Sequence, residues 1–168
     1  VRQSVADVAA LVTRSRAAQS GGGTGSAVSA VQVKAMVERS VAATREVDVG
    51  RDVTVRETSD GIRSTVSVTV RKSGDSQKQR VRIVETIPKD VAGSVDQLVF
   101  DPPPDVVLKA DPVVGWDIDM LPGQEVTFTY TVARDISEVT TYQRPVIIVE
   151  EEKEGPPVPV CGDGTCDA

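Results

Sequence analysis

Leu121-Pro122-Gly123-Gln124-Glu125-Val126-Thr127-Phe128-Thr129-Tyr130-Thr131-Val132 reads as a turn followed by a strand. Pro122 presets its own φ and Gly123 accepts the positive φ of a type II turn, so the chain reverses there. Beyond the turn, Val126, Phe128, Tyr130 and Val132 fall on one side and Thr127, Thr129 and Thr131 on the other. A period of two with apolar residues in one phase is what a strand with one buried face requires.

The same period extends upstream as far as Glu46. Val47 and Val49 alternate with charged residues, as do Val53 and Val55, and Ser59-Asp60-Gly61 supplies a turn into Ile62, Val66, Val68 and Val70. Ser73-Gly74-Asp75 closes that strand, Val81 and Ile83 alternate with Arg80 and Arg82, and Pro88 ends the next run because it cannot donate to a ladder. Further strands are expected at 95–100, 105–109 and 112–118, and the apolar run Val146 to Val149 supplies the last. Seven or eight short strands without intervening helices predict a mainly β domain over 45–150, an immunoglobulin-like antiparallel β-sandwich.

Upstream of Glu46 the period is helical. Val1, Val5, Val8 and Val12 share one stripe, which predicts an amphipathic helix over 1–19 with Arg14 and Arg16 near its C-terminal end. The run Ser20-Gly21-Gly22-Gly23-Thr24-Gly25-Ser26 reads as a flexible linker over 20–26. A second helix is expected over 27–44, capped by Ser29 with Gln32 reaching back, and with Val33, Val37 and Val41 on one face. At the other end, the charged and proline-rich residues 151–160 read as a stiff linker, followed by a short cysteine loop over 161–168.

Composition narrows the function. Valine dominates the apolar stock and aromatics make up 3% of the chain, which suits pleated surfaces. A net charge of −6 with no basic stripe and no aromatic platforms argues against nucleic acid as a partner. Charge is uneven: residues 1–46 carry Arg2, Arg14, Arg16, Lys34, Arg39 and Arg45 against Asp7, Glu38 and Glu46. That asymmetry would favour head-to-tail contact between copies, although ordinary solvated faces are the plainer reading. No run approaches the roughly 18 apolar residues of a membrane helix. Val1 stands where an initiator methionine or apolar leader would, which suggests a processed or truncated start with any anchor outside these residues.

The chain contains no histidine, so the common serine and cysteine hydrolase designs lack their base. Gly21-Gly22-Gly23 is not followed by the Lys-Ser/Thr pair of a phosphate loop. Asp117 and Asp119 share a strand face without the apolar surroundings that a glycosidase acid needs. No cofactor is implied and no enzyme is expected. Asp101, Asp105 and Asp111 are oxygen donors in a region where calcium is conceivable, but no EF-hand spacing is present, and Asp before Pro102 and Pro112 is an ordinary turn former. Trp116, in the apolar run Val113-Val114-Gly115-Trp116, is expected in the core, with an exposed glycan platform as the other reading.

Three segments together carry a resemblance: Glu85-Thr86-Ile87-Pro88-Lys89-Asp90-Val91-Ala92, Asp111-Pro112-Val113-Val114-Gly115-Trp116, and Leu121 to Tyr130. They resemble an immunoglobulin-like domain of archaeal surface and secreted proteins. Cys161-Gly162-Asp163-Gly164-Thr165-Cys166 looks like the start of the small cysteine-rich repeat that accompanies such domains. The resemblance implies an extracellular or cell-surface location and a structural or adhesive role, with other surface proteins or further copies of the chain as partners; it brings no catalytic residues. In that setting Cys161 and Cys166 fit a local disulfide, with pairing outside the chain and metal or redox use as alternatives. The function expected is a structural or adhesive surface module, in its sharper form a self-assembling subunit of an extracellular filament or envelope layer using strand or tail exchange; a glycan- or calcium-binding module is the rival.

Overall fold

A computed structural model describes residues 8–14, 30–73 and 79–149. Residues 8–14 are helical (α1), and α2 spans Ala30–Arg45. Eight strands follow among the described residues: β1 Val47–Thr58, β2 Gly61–Lys72, β3 Gln79–Thr86, β4 Leu98–Asp101, β5 Val106–Lys109, β6 Val113–Met120, β7 Glu125–Val132 and β8 Val146–Val149. They form two four-stranded sheets in the orders β1-β2-β7-β4 and β5-β6-β3-β8, and every pairing is antiparallel. The 95–100 segment opens with a short 3-10 turn, Val95–Gln97, before β4 begins. The expected turns are present: Gly61 (φ 116°) and Gly123 (φ 72°) both take the left-handed conformation that their positions demand.

The two sheets stack with one core between them. Val66, Val68 and Val70 from β2, and Phe128, Tyr130 and Val132 from β7, face Val81 and Ile83 from β3, Val114 and Trp116 from β6, and Ile147 from β8. All are inward-phase residues of their strands, and in β2, β3 and β7 the alternation read in the sequence is what places them. Trp116 is 2% exposed, stacks on Phe128 at 4.1 Å between ring centroids, and meets Phe100 edge-on at 6.0 Å. Its indole N–H donates to the Pro102 carbonyl at 3.0 Å, which satisfies the ring's one polar atom inside the core.

The helices pack on the sandwich: Val8, Leu11, Val12, Met36 and Val37 form a second apolar cluster with Val84, Val113, Val146 and Ile148 on the outer face of the second sheet. The molecule is therefore three layers, helices on sheet on sheet. This is why β3 is buried from Val81 through Glu85 rather than on alternate positions. α2 also fastens the edge of β8: Ser40 Oγ accepts the Val149 N–H at 3.3 Å and Thr44 Oγ1 accepts the Ile147 N–H at 3.0 Å. The linker at 20–26, the acidic and proline-rich segment 151–160 and the cysteine loop with Cys161 and Cys166 lie outside the described residues.

If the helical layer is part of the folded unit, Met36→Ala, which opens space in the second cluster, lowers the unfolding free energy by about 2–4 kcal/mol in urea denaturation. A loss below about 0.5 kcal/mol, the range of a surface change, would return the helices to the status of appendages.

Candidate functional site

Three polar residues occupy inward phases otherwise filled by apolar side chains. Arg51 shares the inward phase of β1 with Val47, Val49 and Val53; Glu85 shares that of β3 with Val81 and Ile83; Tyr130 follows Phe128 in β7. The strands bring them together. Arg51 Nη2 donates to Glu85 Oε1 at 2.6 Å and to the Gln143 carbonyl at 2.9 Å, and Tyr130 Oη donates to the same Glu85 oxygen at 3.3 Å. The guanidinium lies over the Tyr142 ring, 4.9 Å from its centroid. The Glu85 side chain is fully buried, while Arg51 keeps 16% of its surface.

Burial dominates the electrostatics here. Desolvation pushes the Glu85 carboxyl up from 4.5 to about 7, and the Arg51 charge and hydrogen bond only partly oppose it. Desolvation likewise pushes the Tyr130 phenol up, and the neighbouring Glu85 charge adds to this. Oε1 takes both donors, whereas Oε2 of Glu85, Nε of Arg51 and Oη of Tyr142 have no hydrogen-bond partner among the described residues. A carboxyl in this range has the affinity of a general acid–base group, but it offers no open side to a substrate, so its titration acts on the stability of the sandwich.

A second polar pair lies on the helix-covered face. Arg82 grips Asp117 with two hydrogen bonds, Nε to Oδ1 at 2.5 Å and Nη2 to Oδ2 at 2.6 Å. Gly115 makes room for it: a Cβ there would stand 3.1 Å from Arg82 Cδ and 3.0 Å from a Val106 methyl. Asp117 is thus the partner of an arginine, and Asp119 sits in register with Arg80.

The aspartates considered for calcium do not converge. Asp101 ends β4 in an exposed position, Asp105 Oδ2 accepts the Asp117 N–H at 2.8 Å, and Asp111 pairs with Lys109 at 2.8 Å and Lys89 at 3.1 Å. Hydrogen bonds from these two lysines hold the Asp111 carboxyl below the usual carboxylate range. Among the described residues no three acidic, histidine or cysteine side chains are grouped to hold a metal ion. Trp116 is buried and cannot present a face to a sugar, which removes the glycan-platform reading. An open cleft of about 430 Å³ runs past Leu11, Arg14, Lys89, Lys109 and Gln143, and Asp111 offsets its lysines.

None of Arg51, Glu85, Tyr130 and Tyr142 was singled out from the sequence. The signal available was phase: an arginine and a glutamate in valine positions of their strands. Comparison with protein-family models finds no match for the chain, and comparison with curated proteins finds none either.

Because the folded carboxyl holds its proton more tightly than an unfolded one, the stability it contributes is complete below about pH 4.5 and is lost as pH rises through about 7. Glu85→Gln removes that dependence. Between about pH 4 and pH 8 the unfolding free energy of the parent should fall by about 3 kcal/mol relative to the variant, measured by urea denaturation across the range. Parallel pH profiles for the two proteins would refute the assignment.

Proposed function

We propose that this chain is a non-catalytic structural or adhesive module of immunoglobulin-like type, working outside the cell as part of a surface or secreted protein. The observation that carries the reading is the contrast between interior and edge. The titratable groups that would attract a chemical interpretation, Glu85 and Asp117, are tied to arginines and largely or wholly buried, while β1 presents a strand of 12 residues with β2 on one side and, among the described residues, no strand on the other. A filled sandwich with an unpaired edge is equipped for contact with another chain rather than for turnover. The extracellular setting rests on the resemblance carried by residues 85–130 and by the Cys161 to Cys166 motif. Among the described residues no helix is long and apolar enough to cross a membrane.

Two measurements test the proposal. Surface labelling of intact cells that produce the native protein should modify it as fully as labelling after lysis; protection until lysis would overturn the extracellular placement. In thermal melting, calcium at about 1 mM, in the range of weak extracellular sites, should leave the midpoint unchanged, because Asp101, Asp105 and Asp111 are held apart. A raised midpoint would assign the module to ligand binding instead.

A further inference from the structure

We infer that β1 pairs edge to edge with β1 of a second copy of this chain, antiparallel and two-fold symmetric about Thr54. The inference deepens the contact-module reading and rests on it for its biological sense. Its physical basis is the sequence and environment of one strand.

Backbone direction comes first. The Ser73 N–H donates to the Glu46 carbonyl at 3.0 Å, in line with the β1–β2 register, so even-numbered residues of β1 aim their backbone groups at β2. Odd-numbered residues aim theirs at the open side. Val47 has its outward carbonyl taken by the Arg144 guanidinium, but Arg51, Val53, Val55 and Glu57 face an edge with no neighbouring strand among the described residues. The other sheet edges among the described residues are guarded: β4 and β5 are four-residue strands next to the prolines at 102–104, and β8 is covered by Ser40 and Thr44.

Side-chain order then selects the partner and the register. Read outward from Thr54, the strand is Arg51-Asp52-Val53-Thr54-Val55-Arg56-Glu57. Antiparallel self-pairing centred on Thr54 sets Val53 against Val55, Asp52 against Arg56 and Arg51 against Glu57, each twice by symmetry. Every charge in the stretch meets its opposite, and each odd residue pairs with an odd residue, so outward-facing backbone groups meet one another. Moving the centre to Asp52 or Arg56 sets like charges face to face. Moving it to Val53 or Val55 leaves Asp52 opposite threonine.

Two features of the single chain agree with this neighbour. Arg56 lies directly opposite Arg63 in β2, a like-charge pair that an aspartate on the other side of Arg56 would offset. Val53 and Val55 are 39% and 38% exposed although they stand in the inward phase of the strand, and pairing joins them to the same two valines of the neighbour. Arg51 stays engaged with Glu85, so the outer-face Asp52–Arg56 pairs supply most of the charge selectivity. The contact is isologous and closes at two copies, in contrast to the head-to-tail association suggested by the uneven charge along the chain.

Analytical ultracentrifugation of the full chain from about 0.01 to 1 mM, a range that reveals dissociation constants down to weak contacts, should show a monomer–dimer equilibrium. Asp52→Arg or Arg56→Asp alone should raise the dissociation constant at least tenfold. The double variant D52R/R56D, which restores opposite charges with their positions exchanged, should return to within about threefold of the parent. Both positions are exposed on the outer face of the hairpin, and unchanged melting confirms that the variants fold. In a chain with Cys161 and Cys166 replaced by serine, Thr54→Cys should form a disulfide-linked dimer on oxidation, because facing residues at a non-hydrogen-bonded antiparallel pair lie about 4.5 Å apart at Cα, within disulfide range. Thr58→Cys, which this register sets opposite Gly50, should not. A monomer at every concentration, or a dimer indifferent to the single charge changes, overturns the pairing. Surface labelling reads the module's location independently, so the two proposals fail separately.

Discussion

The pairing of β2 with β7 holds the first sheet together and positions what lies beneath it. The ladder runs from Ser64 opposite Val132 to Arg71 opposite Glu125 without a register shift. On its outer face, threonine hydroxyls join at 2.9 Å (Thr65 and Thr131) and 3.0 Å (Thr69 and Thr127). On its inner face the same register sets Val66 beside Tyr130 and Val68 beside Phe128. A slip of one residue would turn both faces over, bringing threonine into the core and the aromatic rings into water. With so few aromatics in the chain, placing Phe128 against Trp116 and Tyr130 within reach of Glu85 depends on that one register.

The second sheet is held differently. Its inner face shares the core, but its outer face also carries apolar residues, Val84, Val113, Val146 and Ile148, which would be costly to leave in water. The helices answer this in two ways at once. Their apolar stripes cover the face, and Ser40 and Thr44 satisfy backbone donors of β8. The hydroxyls work because a serine and a threonine four residues apart stand one helical turn from each other on the same side of α2, a spacing close to that between alternate residues of the strand they serve. Among the described residues the first sheet has no such cover along β1, so the two sheets treat their edges in opposite ways.

Much of the architecture was legible because it depends on local rules. Turns at Gly61 and Gly123, strand ends near Pro88 and Pro122, and the phases of β2 and β7 follow from residue type and alternation, and the structure places strands where those rules put them. The helices were legible as elements but not as a layer, since a valine stripe does not say which surface it will meet. Unbroken burial in β3 was hidden because Arg82 reads as a solvent-facing residue until Gly115 and Asp117 are known to lie beside it. The Arg51–Glu85 pair was hidden for a related reason: the residues are 34 positions apart on strands of different sheets, and phase alone does not show that two misplaced charges meet.

That pair also bears on how the two sheets stay aligned. Buried ion pairs contribute little net stability, because desolvation offsets most of the attraction, and the upward shift of the Glu85 carboxyl is the local sign of that balance. Geometry is the better account of its effect. A valine core tolerates sliding, since one aliphatic contact resembles the next, whereas Glu85 is held when Arg51 from β1 and Tyr130 from β7 meet the same oxygen. Removing either partner leaves a carboxyl in an apolar space with fewer donors, and any shift of β1 along the core would do the same. The cluster therefore anchors the middle of β1, the strand with an open edge, against the opposite sheet. Beyond that anchor, from Val53 to Thr58, the strand is exposed and, among the described residues, held by β2 alone.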